Sequence, residues 1–577
     1  MNLALPAQEI DDLGARYMQD ILLHKPGLMV RRGPISAISG MAVTPKFGSG
    51  LAQTLDPTGA FRIAALYGDA SSGSLGLYSA DLSTITAVPW NGTLPTTGGA
   101  AATSYRIVDA KAALTGGTWI GTSSQYDANS PVQTLALWRG GNKADYGTGT
   151  ITVTRGGVAV TGAGTAWLTN ASAGMFLFAN TDDPYTLTYI GVVKSVNSDT
   201  SITLGAASPY AATAKAYNLT SIRGFCPRVV TGRITTSTGS TQVNGASTKF
   251  LTQGVNSGTW QLYRASDLGF IGKVSSVTND TTLVLAANAA LATANERYIL
   301  IRVDGDFSIN VQAVAGRKVG FLTALYASRQ WYANLGQQFE TVSRVYFSDP
   351  SDPEAVDLSP FDGDFIDIAS TTGVNTPIKA LMPAYNALIV IKDTETFGIY
   401  GASKSQFQVR KIEDDGTLSG MSVQPYGGGV IWAGRDGIYY YDGIEAKNIT
   451  LDSLGDYYKN AVRSFDPTAY RMWSMIDRDH YFLFMEHITP NTGPVKGTVT
   501  SIPSALTICI NMVTKAVTVQ TNVAPRGAIS LPATTGETTW FLQNDAITGK
   551  GVFVDASVLF DQQGNDTVRD SAFSLGP

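Results

Sequence analysis

The sequence predicts an all-β protein: a β-propeller-like platform with two inserted small β-barrel or sandwich modules and a short N-terminal helix. Three observations lead there. The composition suits short strands and tight turns, with 60 Gly, 25 Tyr and only 15% charged residues in 577. A segment between Gly147 and Val303 is written twice. The rest of the chain repeats one hairpin design, the mark of sheets that must stack on each other to bury their faces.

Residues 1–34 read as a helix or arm. Between Gln8 and His24, Ile10, Leu13, Tyr17, Ile21 and Leu22 recur at helical spacing, and Lys25-Pro26-Gly27 stops the run. Arg31 and Arg32 follow, closed by Gly33-Pro34. Such a terminus either lies on its own domain or docks on a neighbouring subunit.

Residues 35–146 form the first part of the platform. Phe61–Tyr67 and Ser74–Tyr78 predict a hairpin around Gly-Asp-Ala-Ser-Ser-Gly, and Gln133–Trp138 a further strand. The modules occupy 147–224 and 225–303. Each has a β-rich opening, a Gly-rich turn before Trp167 or Phe250, and then Leu-Thr. Ile-Gly-x-Val follows at Ile190–Val193 and Ile271–Val274, and each copy closes on Asp-Thr before a last apolar strand. The matched Trp167 and Phe250 read as core anchors rather than sugar platforms.

The platform resumes over 304–577. Lys318–Tyr326 pairs with Arg329–Ala333, Ala387–Ile391 with Phe397–Tyr400, and Gly429–Ala433 with Ile438–Tyr441. His480–Met485 precedes Leu506–Asn511, and Thr539–Leu542 precedes Gly551–Asp555. Counting these hairpins gives about six blades. A row of β-sandwiches is the competing architecture. Asp456–Arg463 predicts one short helix on a loop, and Gly427-Gly428-Gly429 a tight turn. The tail after Gly551 reads as leading into further strands, so a partner or neighbouring copy is expected to complete the last sheet by strand addition.

With 41 basic and 46 acidic residues the formal charge is −5, which gives no global field for nucleic acid or an anionic membrane. Cys226 and Cys509 are too few for a disulfide framework and read as buried thiols. Glu9, Asp11 and Asp12 sit where a signal peptide needs an apolar core, and no run has the length of a membrane span. The expectation is a chain made in a cytoplasm.

Catalytic chemistry finds few residues to use. Of three histidines, His24 ends the predicted helix, while His480 and His487 flank an apolar strand. HExxH, CxxC, GxSxG and Walker-type patterns are missing. Asp362, Asp364 and Asp367 have spacing that could offer oxygens to calcium, but lack the loop pattern and its terminal Glu. They read as a polar turn. Asp349 and Asp352 lie in a proline-stiffened loop. Tyr439, Tyr440 and Tyr441 share a strand, so Tyr440 must face away from its neighbours. No catalytic, cofactor-binding or metal-ligating residue is assigned.

The run from Arg344 to Gly443 carries VYFSDPSDPEAVDLSPFDGDFIDI, PIKALMPAYNALIVIKDTETFGIYG and VIWAGRDGIYYYDG. It resembles the propeller proteins of tailed-phage tails, in particular the nozzle (tail tubular protein B) of short-tailed bacteriophages. The opening ILLHKPGLMVRRGP is similar to the start of such proteins, and GTITV…VTGAGTAWLT to small β-domains of phage tails and fibres. The resemblance implies a virion tail protein, assembled in the host cytoplasm as a homohexameric ring beneath a tail adaptor. It implies fibres or spikes outside and genomic DNA passing through the lumen without sequence-specific binding. No enzyme activity, cofactor or membrane comes with it. Two other readings remain: a tail adhesin binding host glycan through the modules, and a propeller glycosidase with paired carboxylates.

Overall fold

The protein, seen in a computed structural model, is mostly β, built from several antiparallel sheets. The structure describes residues 15–19, 21–25, 28–31, 47–55, 61–68, 73–79, 85–88, 106–112, 117–123, 133–179, 188–208, 210–224, 228–229, 231–251, 255, 260–265, 269–302, 322–335, 341–350, 353–356, 363–463, 470–477, 479–487, 505–521, 527–533, 536–544, 551–555 and 572–575.

The duplication in sequence is a duplication in structure. In the first module a curled sheet runs Ala212–Lys215, Thr150–Val153, Ala159–Ala163, Ser201–Leu204, Thr188–Ser198, Phe176–Ala179, Tyr217–Thr220. In the second the same order is Thr293–Glu296, Arg233–Thr236, Gln242–Ala246, Thr282–Leu285, Gly269–Asn279, Trp260–Arg264, Tyr298–Arg302, with Arg228–Val229 added at the end. Even the register shifts correspond, at Leu177/Phe178 in one copy and Leu262/Tyr263 in the other. Strand alternation explains the burial: Ile151 and Val153 point in while Thr152 points out, and Ile202 and Leu204 repeat the pattern. Trp167 and Phe250 are both fully buried, as core anchors must be. Trp167 Nε1 donates to Tyr217 Oη at 2.9 Å, so the indole is buried without losing its hydrogen bond.

Among the described residues the platform has seven sheets. In order, their first strands are Phe47–Leu55, Arg106–Ala112, Leu322–Tyr326, Ile378–Ala384, Gln424–Tyr426, Tyr470–Asp477 and Gly527–Ala533. Each first strand lies against the next, and Gly527–Ala533 returns to Phe47–Leu55. The predicted hairpins are all present: Phe61–Gly68 with Gly73–Ser79, Leu322–Tyr326 with Arg329–Ala333, Ala387–Lys392 with Thr396–Tyr400, and Gly429–Ala433 with Ile438–Tyr441. His480–His487 pairs with Ala505–Asn511, and Gly536–Asn544 with Gly551–Asp555. Gly427 and Gly428 have φ of 56° and 83°, the turn that a two-residue hairpin between Tyr426 and Gly429 requires.

Alternation along the strands glues the sheets together. In the fourth sheet Leu388 and Val390 join the third sheet's Leu322 and Trp331, while Ile389 and Ile391 join the fifth sheet's Val430 and Trp432. In the fifth sheet Ile431 and Ile438 turn instead to Tyr481, Leu483 and Ile508 of the sixth. The three tyrosines obey the same rule. Tyr439 and Tyr441 face the fourth sheet and Tyr440 faces the sixth.

One expectation, at the N-terminus, is corrected. Among the described residues of the expected N-terminal helix, 15–19 and 21–24 are strand instead. Ala15–Gln19 is a strand parallel to Val517–Thr521 of the sixth sheet, and Ile21–Lys25 pairs with Leu28–Arg31. The run Ile21-Leu22-Leu23 satisfies a strand as well as a helical period, and the sixth sheet supplies hydrogen bonds that local spacing cannot reveal. Ile10, Leu13 and Arg32 lie outside the described residues. At the other end, Ala572–Leu575 pairs with Ala15–Gln19 and so joins the sixth sheet, while the last sheet, Gly527–Ala533, Gly536–Asn544 and Gly551–Asp555, has three strands among the described residues. The short helix forms, as Gly455–Arg463, with Tyr458 and Val462 buried.

Ile222–Gly224, the last residues of the segment 147–224, pair with Gln133–Trp138. The first module therefore enters and leaves through two neighbouring strands of the second sheet. That arrangement fixes both of its ends.

Candidate functional site

Charged side chains gather in two places among the described residues. One is where the first module meets the platform. Arg223, on the strand by which the chain leaves the module, forms a bidentate pair with Glu354 in a loop of the third sheet. Both are buried. The guanidinium also stands over the rings of Phe176 and Tyr189. Around it, Phe176 and Phe178 pack with Trp119, Leu137, Tyr332 and Tyr346 from the second and third sheets. Arg139 is nearby, and burial lowers its pKa, with Tyr189 opposing that and Arg223 adding to it.

The second place is one end of the fourth and fifth sheets. Lys379, on the first strand of the fourth sheet, pairs with Asp393 in the Asp-Thr-Glu turn and donates to Leu418 O at 3.1 Å. Burial lowers its pKa while Asp393 pulls the other way. Arg435 reaches the same carboxylate at 3.3 Å from the next sheet's turn. Asp415, between the sheets, accepts the Arg435 and Gly416 N–H groups, yet burial outweighs these and raises its pKa. Glu395, fully buried, accepts from Ser370, Thr371 and Lys411. Burial pushes its carboxyl up, but the hydrogen bonds prevail and hold it at about 2. Lys392, also buried, donates to Ile368 O at 3.1 Å. This network joins strands, turns and neighbouring sheets. Its chemistry is charge compensation.

Other residues singled out in the sequence separate. Asp364 pairs with Lys404 at 2.7 Å, and Asp367 holds Arg344 at 2.7 Å and accepts from Thr341 at 2.8 Å. Both carboxylates thus face cationic side chains; Asp362 and Asp352 lie outside the described residues. Among the described residues no group of three or more His, Cys, Asp or Glu is placed to hold a metal ion. His480 is buried and accepts from or donates to Asn511 across 3.2 Å, while His24 and His487 sit in strands. Cys509 is a buried thiol whose pKa is raised by burial; Cys226 lies outside the described residues. No helix among the described residues is long and apolar enough to cross a membrane.

No protein-family profile and no curated protein matches the chain. Among solved structures it is similar to the extracellular domain of a one-component system from B. thetaiotaomicron, at 9% identity, covering 91% of this chain and 82% of that one, with a TM-score of 0.25. It is also similar to a phage phi92 endosialidase, at 13% identity, covering 97% and 94%, with a TM-score of 0.20. A CNH domain gives 10% identity, coverage of 71% and 96%, and a TM-score of 0.19. Similarity at this level carries no argument about function.

Sequence reading missed Arg223–Glu354 entirely. The partners are 131 positions apart, and no local spacing relates them. The Lys-Asp-Thr-Glu turn was visible as a charged hairpin turn, but nothing in its spacing announces that Glu395 is buried.

Proposed function

We propose that this chain is a structural protein of a bacteriophage tail: a nozzle or tail-tube ring that forms part of the DNA ejection channel and a platform for fibres. It acts by assembly, not catalysis. The observation that carries this reading is the circuit of seven sheets, whose first strands contact in order and return to the start. We read that circuit as a seven-bladed propeller, a form in which every blade is covered on both faces. The residues resembling nozzle proteins, Arg344–Gly443, fall in its third to fifth sheets. Buried charge pairing across sheets suits a part that must resist deformation.

In the ring, six copies surround the tail axis below an adaptor, and fibres or spikes attach outside. A net charge of −5 suits a conduit, because a basic wall would hold DNA through released counterions. Electron microscopy of phage particles carrying this chain tests the proposal. The expected result is a ring of its density on the tail axis with a neutral to acidic lumen. Its absence from the particle, or turnover of a polysaccharide by the purified chain, would overturn it.

A further inference from the structure

Each module meets the unit before it in the chain with the same part of its sheet. In the first, the cross-strand pairs Phe178–Tyr189 and Phe176–Val192 stand on the outer side, while Leu177 and Ile190 enter the module's own core. All four outer residues pack against the second and third sheets of the platform. The equivalent pairs in the second module are Tyr263–Phe270 and Gln261–Lys273, beside Leu262 and Ile271 of its own core. Tyr263 and Phe270 are buried with the core of the first module instead, where Tyr263 meets Tyr210 at 5.0 Å. Even the ring geometry repeats. Phe178 and Tyr189 lie 5.6 Å apart at 54°, and Tyr263 and Phe270 lie 5.4 Å apart at 59°.

The two seats differ in what holds them. Under the first module, Phe176 and Val192 widen the apolar contact, and Arg223 stands over Phe176 and Tyr189 while pairing with Glu354. Main-chain bonds add to this, since Ile222–Gly224 pairs with Gln133–Trp138. Under the second module, Gln261 and Lys273 take the places of Phe176 and Val192. Among the described residues no strand of one module pairs with a strand of the other. That joint is made by side chains, and its apolar part is narrower. Tyr210 corresponds to Leu291 of the second module, so the module fold itself does not require a ring at that position.

We propose that the outer aromatic pair is a docking face used twice, as a fixed seat under the first module and as a releasable latch under the second. The modules then form an arm whose bend lies between them. The second module swings off Tyr210 while the first keeps its place on the platform, whatever the chain's role in a particle.

Distances between spin labels on the full chain test this, in a Cys226→Ser background where the buried Cys509 stays unlabelled. Labels at Lys194→Cys and Ser275→Cys span the two modules, and labels at Lys194→Cys and Ile444→Cys span the first module and the platform. All three positions are exposed. On warming below the melting temperature, the distance between modules is expected to broaden while the distance to the platform stays narrow. Tyr210→Leu is expected to raise the released fraction about tenfold, the worth of one aromatic contact. Lys273→Val, which gives the second module the valine of the first, is expected to lower it. A released fraction that neither substitution moves would overturn the latch. Broadening of both distances together would overturn the placing of the bend between the modules.

Discussion

Arg223 and Glu354 meet side on, Nη1 to Oε1 at 2.8 Å and Nη2 to Oε2 at 2.7 Å, with only 6% and 4% of their side chains exposed. The pair spans three units at once. Arg223 belongs to the second sheet, Glu354 to the third, and the rings of Phe176 and Tyr189 beside the guanidinium belong to the first module.

Removing one partner should therefore loosen the module's seat. Glu354→Ala leaves a buried guanidinium without its carboxylate, a loss of about 3–5 kcal/mol. Replacing both, as Arg223→Met with Glu354→Leu, should recover most of that, since the pair's own net contribution is small once desolvation is counted. Chemical denaturation gives the stabilities, and hydrogen exchange at Phe176–Ala179 reports the seat. A cost for Glu354→Ala no larger than that of a surface substitution would contradict this account.

Glu395 predicts an acid-sensitive limb. Its carboxyl sits at about 2 against an ordinary 4.5, because Ser370, Thr371 and Lys411 outweigh burial. The folded pKa is depressed, so the contribution is complete above the unfolded value and disappears as pH falls from about 4.5 toward 2. Glu395→Gln should flatten the decline of melting temperature across that window and lower it at neutral pH. An unchanged acid limb in the variant would show that other groups govern it.

The hairpins were legible in the sequence because each is a short apolar or aromatic run bounded by Gly and Asp turn residues, as at Gly429–Ala433 and Ile438–Tyr441. The duplication was legible because its landmarks are core anchors and turns, which tolerate little change. The N-terminal strands were hidden, because Ile21 and Leu22 suit two periods and the partner of Ala15–Gln19, Val517–Thr521, lies at the far end of the chain. The charge clusters were hidden for a related reason. Lys379, Asp393, Asp415 and Arg435 come together through sheet stacking, and no local pattern encodes which sheets will be neighbours.

Ala327 and Ser328 link Tyr326 to Arg329 in a two-residue turn with φ of 50° and 56°. Gly427-Gly428 makes the corresponding turn in the fifth sheet without a Cβ to strain it. Ser328→Gly should therefore stabilise the third sheet by about 1 kcal/mol through relief of the left-handed backbone. The reverse experiment, Gly428→Ala, should destabilise the fifth sheet by a similar amount. Denaturation midpoints decide both, and a neutral Ser328→Gly would mean that its side chain repays the strain.

The modules offer an internal control on packing. A Cβ on Gly162 would stand 2.3 Å from Thr165 Oγ1 and 2.7 Å from the far edge of the Trp167 ring, and one on Gly245 would stand 1.9 Å from Thr248 Oγ1. In both copies the threonine hydroxyl donates across the module, to Asp199 O or Asp280 O. Either alanine should push that side chain off its bond, a loss of about 0.5–1.5 kcal/mol. In the first module the indole blocks the remaining space, and it cannot swing aside because it is fully buried and bonded to Tyr217. Gly162→Ala should thus cost about 1–3 kcal/mol more than the threonine bond alone, through overpacking. The nearest atoms to a Cβ on Gly245 all belong to Thr248, its Oγ1, Cγ2 and Cβ at 1.9, 2.7 and 2.8 Å, so what Gly245→Ala costs beyond that bond comes from displacing the whole threonine. Hydrogen exchange in Thr150–Val153 and Arg233–Thr236 separates the two effects within one molecule, and equal losses of protection would show that the threonine, not the anchor ring, sets the constraint.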